Sequence, residues 1–101
     1  MRDRIPAVYR LIGQKVRSTR KFRNMSQAEL ALLIAVSRTS VVLIELGKQF
    51  TPIDRLYEIA KHLNVPITWL LPNRTTVDKE ARRMYKQKYN KKYRRRLKRL
   101  K

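Results

Sequence analysis

The chemistry open to this chain is mainly that of fixed positive charge. Of 101 residues, 26 are Lys or Arg and 7 are Asp or Glu, a formal net charge of +19. The charge is uneven: from Lys79 to Lys101 there are thirteen basic residues and one carboxylate, Glu80. A basic globule with a still more basic tail argues for a polyanionic partner, nucleic acid first, with a merely solvated tail as the alternative. Other reactive residue types are sparse. Cysteine is absent, so there is neither a disulfide framework nor a thiolate site, which suits a reducing cytoplasm. His62, the single histidine, has no second ligand type nearby and reads as a surface or interface residue. The sequence contains no nucleophile–base constellation, no phosphate-cradling P-loop and no G-x-G-x-x-G. The expectation is a non-enzyme, with no catalytic residue, no cofactor and no metal. No apolar run is long enough for a membrane span, and the opening MRDRIP has charge without the apolar region of a secretory signal. A cytoplasmic protein without membrane contact is expected.

The elements that must position this charge centre on residues 26–48, SQAELALLIAVSRTSVVLIELGK. Ser26 with Glu29 forms an S-x-x-E capping box, in which hydroxyl and carboxylate each bond the other residue's backbone N–H. Ser37 reads as a second N-cap and Gly47 as the residue that ends the second helix. The turn between the helices is three or four residues long, so the helices cross steeply, as in a helix-turn-helix. Leu30, Ala31 and Ile34 share a face of the first helix, Val36 plugs the turn, and Val41 and Ile44 point the second helix back. Spacing alone equally fits any pair of short amphipathic helices.

This stretch resembles the phage-repressor family of Cro/cI-type helix-turn-helix domains, also called the xenobiotic-response-element type. Ile12-Gly13, Val16-Arg17 and Arg20 resemble that family's first helix, Thr51-Pro52 through Leu63-Asn64-Val65 its fourth, and Ile67-Thr68-Trp69-Leu70-Leu71 its short fifth. The resemblance covers roughly residues 8–72. It implies an all-α fold: a compact five-helix lambda-repressor-like domain, here followed by a basic, helical C-terminal tail. The organisation expected is an N-terminal arm over 1–7, the domain over 8–72, a linker over 73–78 with Asp78 as a cap, and the tail over 79–101. Within the domain, helix 1 is expected from Pro6 to Phe22 with Val8, Leu11, Ile12, Val16 and Phe22 buried and Asn24 as its left-handed cap. Helix 4 is expected from Pro52 to Leu63, N-capped by Thr51.

By the same resemblance, Ser37, Arg38 and Thr39 face the major groove, followed along the helix by Val42 and Leu43. Arg38 has the fork that matches guanine O6 and N7. Ser26, Gln27, Lys48 and Gln49 stand where the family contacts phosphate. Arg20 and Glu45 stand where it places a structural salt bridge. Trp69 and Leu70 are offered as a twofold dimer contact, since the family's fifth helix often serves so. The chain departs from the pattern in three ways. Thr19 replaces a usual leucine, which loosens the core locally. Ala35 takes the turn position where glycine is common, and a positive φ there costs roughly 1 kcal/mol. Val42, Leu43 and Leu46, with Leu32 nearby, are apolar where polar residues usually stand. They pack on thymine methyl groups, they receive a protein partner, or some of them are core, although one neighbour cannot bury Val41, Val42, Leu43, Ile44 and Leu46 together.

In the tail, Ala81, Tyr85, Tyr89, Tyr93 and Leu97 recur every four residues among basic side chains. Lys86, Lys88, Lys91, Lys92, Arg94, Arg95, Arg96, Lys98 and Arg99 are the nucleic-acid contacts expected there. The tyrosines pack on the domain, pair with another helix, or stack on unpaired bases of RNA or single-stranded DNA. The first functional reading is a sequence-specific, repressor-like regulator of double-stranded DNA, acting as a homodimer in a bacterial or phage-infected cell. The alternatives are an adaptor or nucleoprotein subunit, gripping protein with the apolar face and nucleic acid with the tail, or an antitoxin or immunity regulator.

Overall fold

In the computed structural model the backbone is described for residues 4–100 and the side chains for residues 5–90. Among the described residues six helices follow one another: α1 Arg4–Phe22, α2 Gln27–Leu33, α3 Arg38–Glu45, α4 Ile53–Leu63, α5 Ile67–Leu70 and α6 Arg74–Leu100. Among the described residues there is no strand. The core is built by α1 to α5, which bury Ile12, Val16, Leu30, Ala31, Ile34, Val41, Leu56, Ile59, Ala60, Leu63 and Leu70 together. Val8, Met25, Val36, Val65 and Ile67 pack around it.

Four successive helices end in one way. After α1, α2, α3 and α4 the chain turns through a residue of positive φ: Asn24 at 55°, Ala35 at 55°, Gly47 at 72° and Asn64 at 57°. Each end carries the same bond pair. Met25 N donates to Arg20 O and Asn24 N to Lys21 O; Val36 N donates to Ala31 O and Ala35 N to Leu32 O; Lys48 N donates to Leu43 O and Gly47 N to Ile44 O; Val65 N donates to Ala60 O and Asn64 N to Lys61 O. These are Schellman ends, which satisfy the last free carbonyls while reversing the chain. Asparagine and glycine suit the left-handed position; Ala35 is the strained one.

Several sequence expectations need correction here. The helix expected at Pro6 begins at Arg4, because a proline in the first turn lacks only an N–H that has no helical acceptor, so residues 4–7 belong to α1 and not to an arm. Phe22 is exposed rather than buried, since it lies six residues past Val16 and points off the buried stripe. Thr51 is buried and does not cap α4; Pro52, at ψ 153°, is the residue outside the helix, and no side-chain cap bond is made. The linker over 73–78 is not separate from the tail: α6 starts at Arg74, and Asn73 is its cap, its Oδ1 accepting from Thr76 N at 2.8 Å. Asp78 lies inside this helix.

The start of α6 is held because it buries Val77 and Ala81 against Ala7, with Val8, Leu11 and Met84 alongside. Glu80 adds an ion pair to Arg10 at 3.4 Å. Asn73 and Thr76 border Leu11, Gln14, Lys15 and Ser18, whereas Glu80 meets Arg10, so α6 runs antiparallel to α1. That pairing sets Tyr85 opposite the first turn of α1, and the fifteen residues beyond it extend the helix by about 22 Å. The molecule is accordingly elongated, 54 × 27 × 22 Å.

Candidate nucleic-acid interface

The candidate interface is built on the corner between α2 and α3. The chain bends by 109° between these helices, within the range that defines a helix-turn-helix. Ser26 holds the start of α2: its Oγ accepts from Glu29 N at 3.0 Å, and Glu29 Oε1 accepts from Ser26 N at 3.3 Å. Ser37 holds the start of α3, its Oγ accepting from Ser40 N at 3.1 Å. Val41 and Ile44 turn inward from α3, Val42 and Leu43 are half-buried at its sides, and Leu46 is exposed at its end. Arg38 and Thr39 are exposed in its first turn. A helix packed on one neighbour cannot bury five apolar residues that surround its axis, and α3 resolves this by burying two.

The far end of α3 is fixed to α1. Arg20 Nε donates to Glu45 Oε2 at 2.7 Å and Arg20 Nη2 to Glu45 Oε1 at 3.0 Å, a two-bond fork between buried side chains. The third guanidinium nitrogen, Nη1, donates to Met25 O at 2.8 Å, and Gln27 Nε2 donates to Glu45 Oε1 at 3.1 Å. Both charges are thereby bonded on several sides, which a buried pair requires. Gly13 allows this approach: a side chain there would collide with the carbonyls of Ile44 and Glu45.

The residues assigned to phosphate divide into two groups. The side chains of Ser26 and Gln27 are engaged within the protein, by the capping box and by Glu45. Lys48 is exposed and Gln49 partly so, in the turn after Gly47. Sequence reasoning missed Arg17 and Lys21. They line, with Arg20, Gln27, Val42, Glu45 and Leu46, a crevice of about 350 Å³ beside the exposed face of α3. Their four-residue spacing on the side of Arg20 was the available signal. Because Glu45 is neutralised by Arg20, the crevice presents the charge of Arg17 and Lys21.

Leu32 is 83% exposed on α2, so the apolar patch of Leu32, Val42, Leu43 and Leu46 reaches solvent at its rim. At α5 the two expected dimer residues part company. Leu70 is 1% exposed and belongs to the core, so it is unavailable to a partner. Trp69 is 51% exposed, its Nε1 donating to Thr19 Oγ1 at 3.1 Å and its ring facing the Lys15 ammonium at 3.9 Å. Thr19 is therefore no loose spot in the core: it is buried and receives the indole N–H.

In α6, Ala81 is docked on α1 and Tyr85 and Tyr89 are exposed, while the side chains of Lys91, Lys92, Tyr93, Arg94, Arg95, Arg96, Leu97, Lys98 and Arg99 lie outside the described residues. Lys86 and Lys88 are exposed on the helix. Glu80 also accepts from Arg83 Nη2 at 2.8 Å; this hydrogen bond, and then the charge of Glu80, raises the Arg83 guanidinium above its ordinary pKa. No single helix among the described residues is long and apolar enough to cross a membrane.

A family model described as a helix-turn-helix domain matches residues 13–74. Among solved structures, the restriction-modification controller protein C.AhdI from Aeromonas hydrophila is 25% identical, with a TM-score of 0.60 over 62% of this chain and 96% of its own. The clp gene regulator ClgR from Corynebacterium glutamicum shares the fold at 19% identity, with a TM-score of 0.59 over 88% of this chain and 87% of its own. The same fold occurs inside an enzyme, hydroxypropylphosphonic acid epoxidase from S. wedmorenis, at 25% identity and a TM-score of 0.61. There the alignment takes in 65% of this chain and 35% of the epoxidase. No curated protein matches the sequence.

Proposed function

The chain belongs to the family of helix-turn-helix domains, and from that premise we propose that it is a sequence-specific regulator of transcription that reads the major groove with α3. The observation that carries this reading is the first turn of α3. Arg38 and Thr39 stand exposed on a helix fixed at one end by the Ser37 cap and at the other by the Arg20–Glu45 pair. A helix held at both ends presents its side chains in one register, which base readout needs. Lys48 and Gln49, with Arg17 and Lys21 from α1, supply phosphate contacts around it. Leu43 and Val42 meet thymine methyl groups, so the favoured site is AT-leaning apart from a guanine opposite Arg38.

The regulator acts as a homodimer in the cytoplasm of a bacterium or phage-infected cell, with Trp69 on the contact face, and represses by occluding polymerase. Two-fold symmetry then predicts half-sites about one helical turn apart. Selection from a random pool of duplex DNA tests the proposal. A two-part motif with that spacing is the expected outcome, and recovery of no preferred sequence would reject it.

The exposed Leu32 and the apolar rim of α3 favour a second reading, an adaptor that docks protein there and holds nucleic acid through α6. An antitoxin or immunity regulator would combine the two. On the adaptor reading, the random pool yields no motif, while Leu32→Asp and Leu46→Asp abolish capture of the partner.

A further inference from the structure

The face of α6 that docks on α1 continues past the first turn of α1. Ala81 is buried there, and Tyr85, one turn on, begins the part of that face which the domain leaves uncovered. Tyr85 and Tyr89 are 60% and 57% exposed. Their rings are nearly parallel, 17° apart in plane, with centroids separated by 6.4 Å. Arg82, Lys86 and Lys88 lie within a turn of the pair. Reading of duplex DNA by α3 uses none of these rings.

What covers this face follows from its charge and its geometry. A second copy of α6 would bring thirteen basic residues and two carboxylates against the same, with little complementarity between them. An acidic surface of a protein would satisfy the cations without calling for two parallel rings. Duplex DNA would also satisfy the cations, but its bases are stacked on one another and offer no face to a tyrosine. A single strand offers base faces and phosphates together. The two rings are nearly parallel and more than half exposed, so each can offer a face on which an unpaired base stacks. We infer that α6 is a binding site for single-stranded nucleic acid, in which unpaired bases stack on Tyr85 and Tyr89 and the neighbouring Arg and Lys side chains meet the phosphates. This activity is separate from the reading of duplex DNA by α3.

The test uses the full chain and a labelled thymidine homopolymer of about 20 nucleotides, long enough to run past both rings, beside a mixed-sequence duplex of the same length. Tyr85→Ala and Tyr89→Ala should each weaken binding of the single strand by about 5- to 150-fold, the range for losing one base–aromatic stack, and leave duplex binding at the same salt unchanged. Replacing both tyrosines by Phe should restore single-strand binding. Replacing both by Leu, which keeps helix propensity and apolar bulk, should not. Arg38→Ala should leave single-strand binding unaltered, so that failure here and failure of the α3 reading are told apart. The proposal is overturned if the alanine variants weaken both nucleic acids equally or neither, or if the leucine variant binds the single strand as well as the wild type. Binding of the wild type to vesicles of anionic lipid in preference to the homopolymer would likewise overturn it, by assigning the face to a membrane surface.

Discussion

At the scale of single residues, the Arg20–Glu45 fork decides whether α3 is held in place. Arg20 makes bonds to Glu45 and to Met25 O, and Gln27 supports Glu45 from α2. Taking the carboxylate away leaves a buried guanidinium with only one acceptor, and breaking a buried pair in this way costs about 3–5 kcal/mol. Glu45→Ala should therefore melt at a markedly lower temperature, and an unchanged melting curve would remove the pair from the account of stability. Arg38 carries a different consequence. It is exposed, so its loss should leave stability nearly untouched, but one bidentate base contact is worth about 1–3 kcal/mol of discrimination. Arg38→Ala should lower the preference for the selected site over random duplex by that amount, whereas Lys48→Ala should weaken both complexes alike. Competition binding with the two duplexes separates these outcomes; equal losses for Arg38→Ala would mean that it touches phosphate and not a base.

At the scale of elements, the four Schellman ends explain how short helices are fitted around a small core. Asn24, Gly47 and Asn64 are residues that accept a left-handed backbone, and all three are visible in the sequence as helix stops. Ala35 holds the same conformation with a Cβ, at a cost of about 1–2 kcal/mol. Glycine there relieves that strain but gives the unfolded chain more freedom, which returns about 0.4–1 kcal/mol. Ala35→Gly should thus stabilise the domain by up to about 1.6 kcal/mol, read as a higher denaturant midpoint with an unchanged slope. A lower midpoint would show that the Ala35 methyl makes a packing contribution larger than the strain.

At the scale of the whole molecule, α6 makes the charge distribution a matter of shape. Its first turns are part of the folded body through Val77, Ala81 and Met84, and the Arg10–Glu80 pair secures the junction. The basic rod therefore leaves from a fixed place, beside the start of α1. The Lys48–Gln49 turn follows Gly47, which lies against Arg10, the residue that also holds Glu80. A cut after Asp78 would remove Ala81 and Met84 and disturb the body, so the informative truncation falls after Met84. It removes ten Lys and Arg residues. If half of them neutralise phosphates on duplex DNA, the slope of log affinity against log salt should flatten by about 4–5 units. If α3 reads the base edges as proposed, the shortened chain should still prefer the same duplex at low salt. Equal slopes for the two chains would show that the rod does not contact phosphate.

The sequence by itself determined the features that depend on neighbours along the chain. The Ser26–Glu29 box, the Ser37 cap, the Gly47 stop and the period of Leu30, Ala31, Ile34, Val41 and Ile44 are local chemistry, and they suffice to set α2 and α3 and the turn between them. The resemblance to Cro/cI-type domains then placed Arg20 opposite Glu45, which spacing alone does not reveal across 25 residues. Only the tertiary structure decided what lies opposite each face. It made Leu70 core and left Trp69 outside, bonded the Trp69 indole to Thr19, and engaged Ser26 and Gln27 inside the protein. It also drew residues 74–78 out of a polar-looking connector into α6, because Val77 and Ala81 find Ala7 on the first helix. The physical reason is common to these cases. Periodicity states which side chains share a side of a helix, but burial depends on the surface that meets it, and that surface comes from a distant part of the chain.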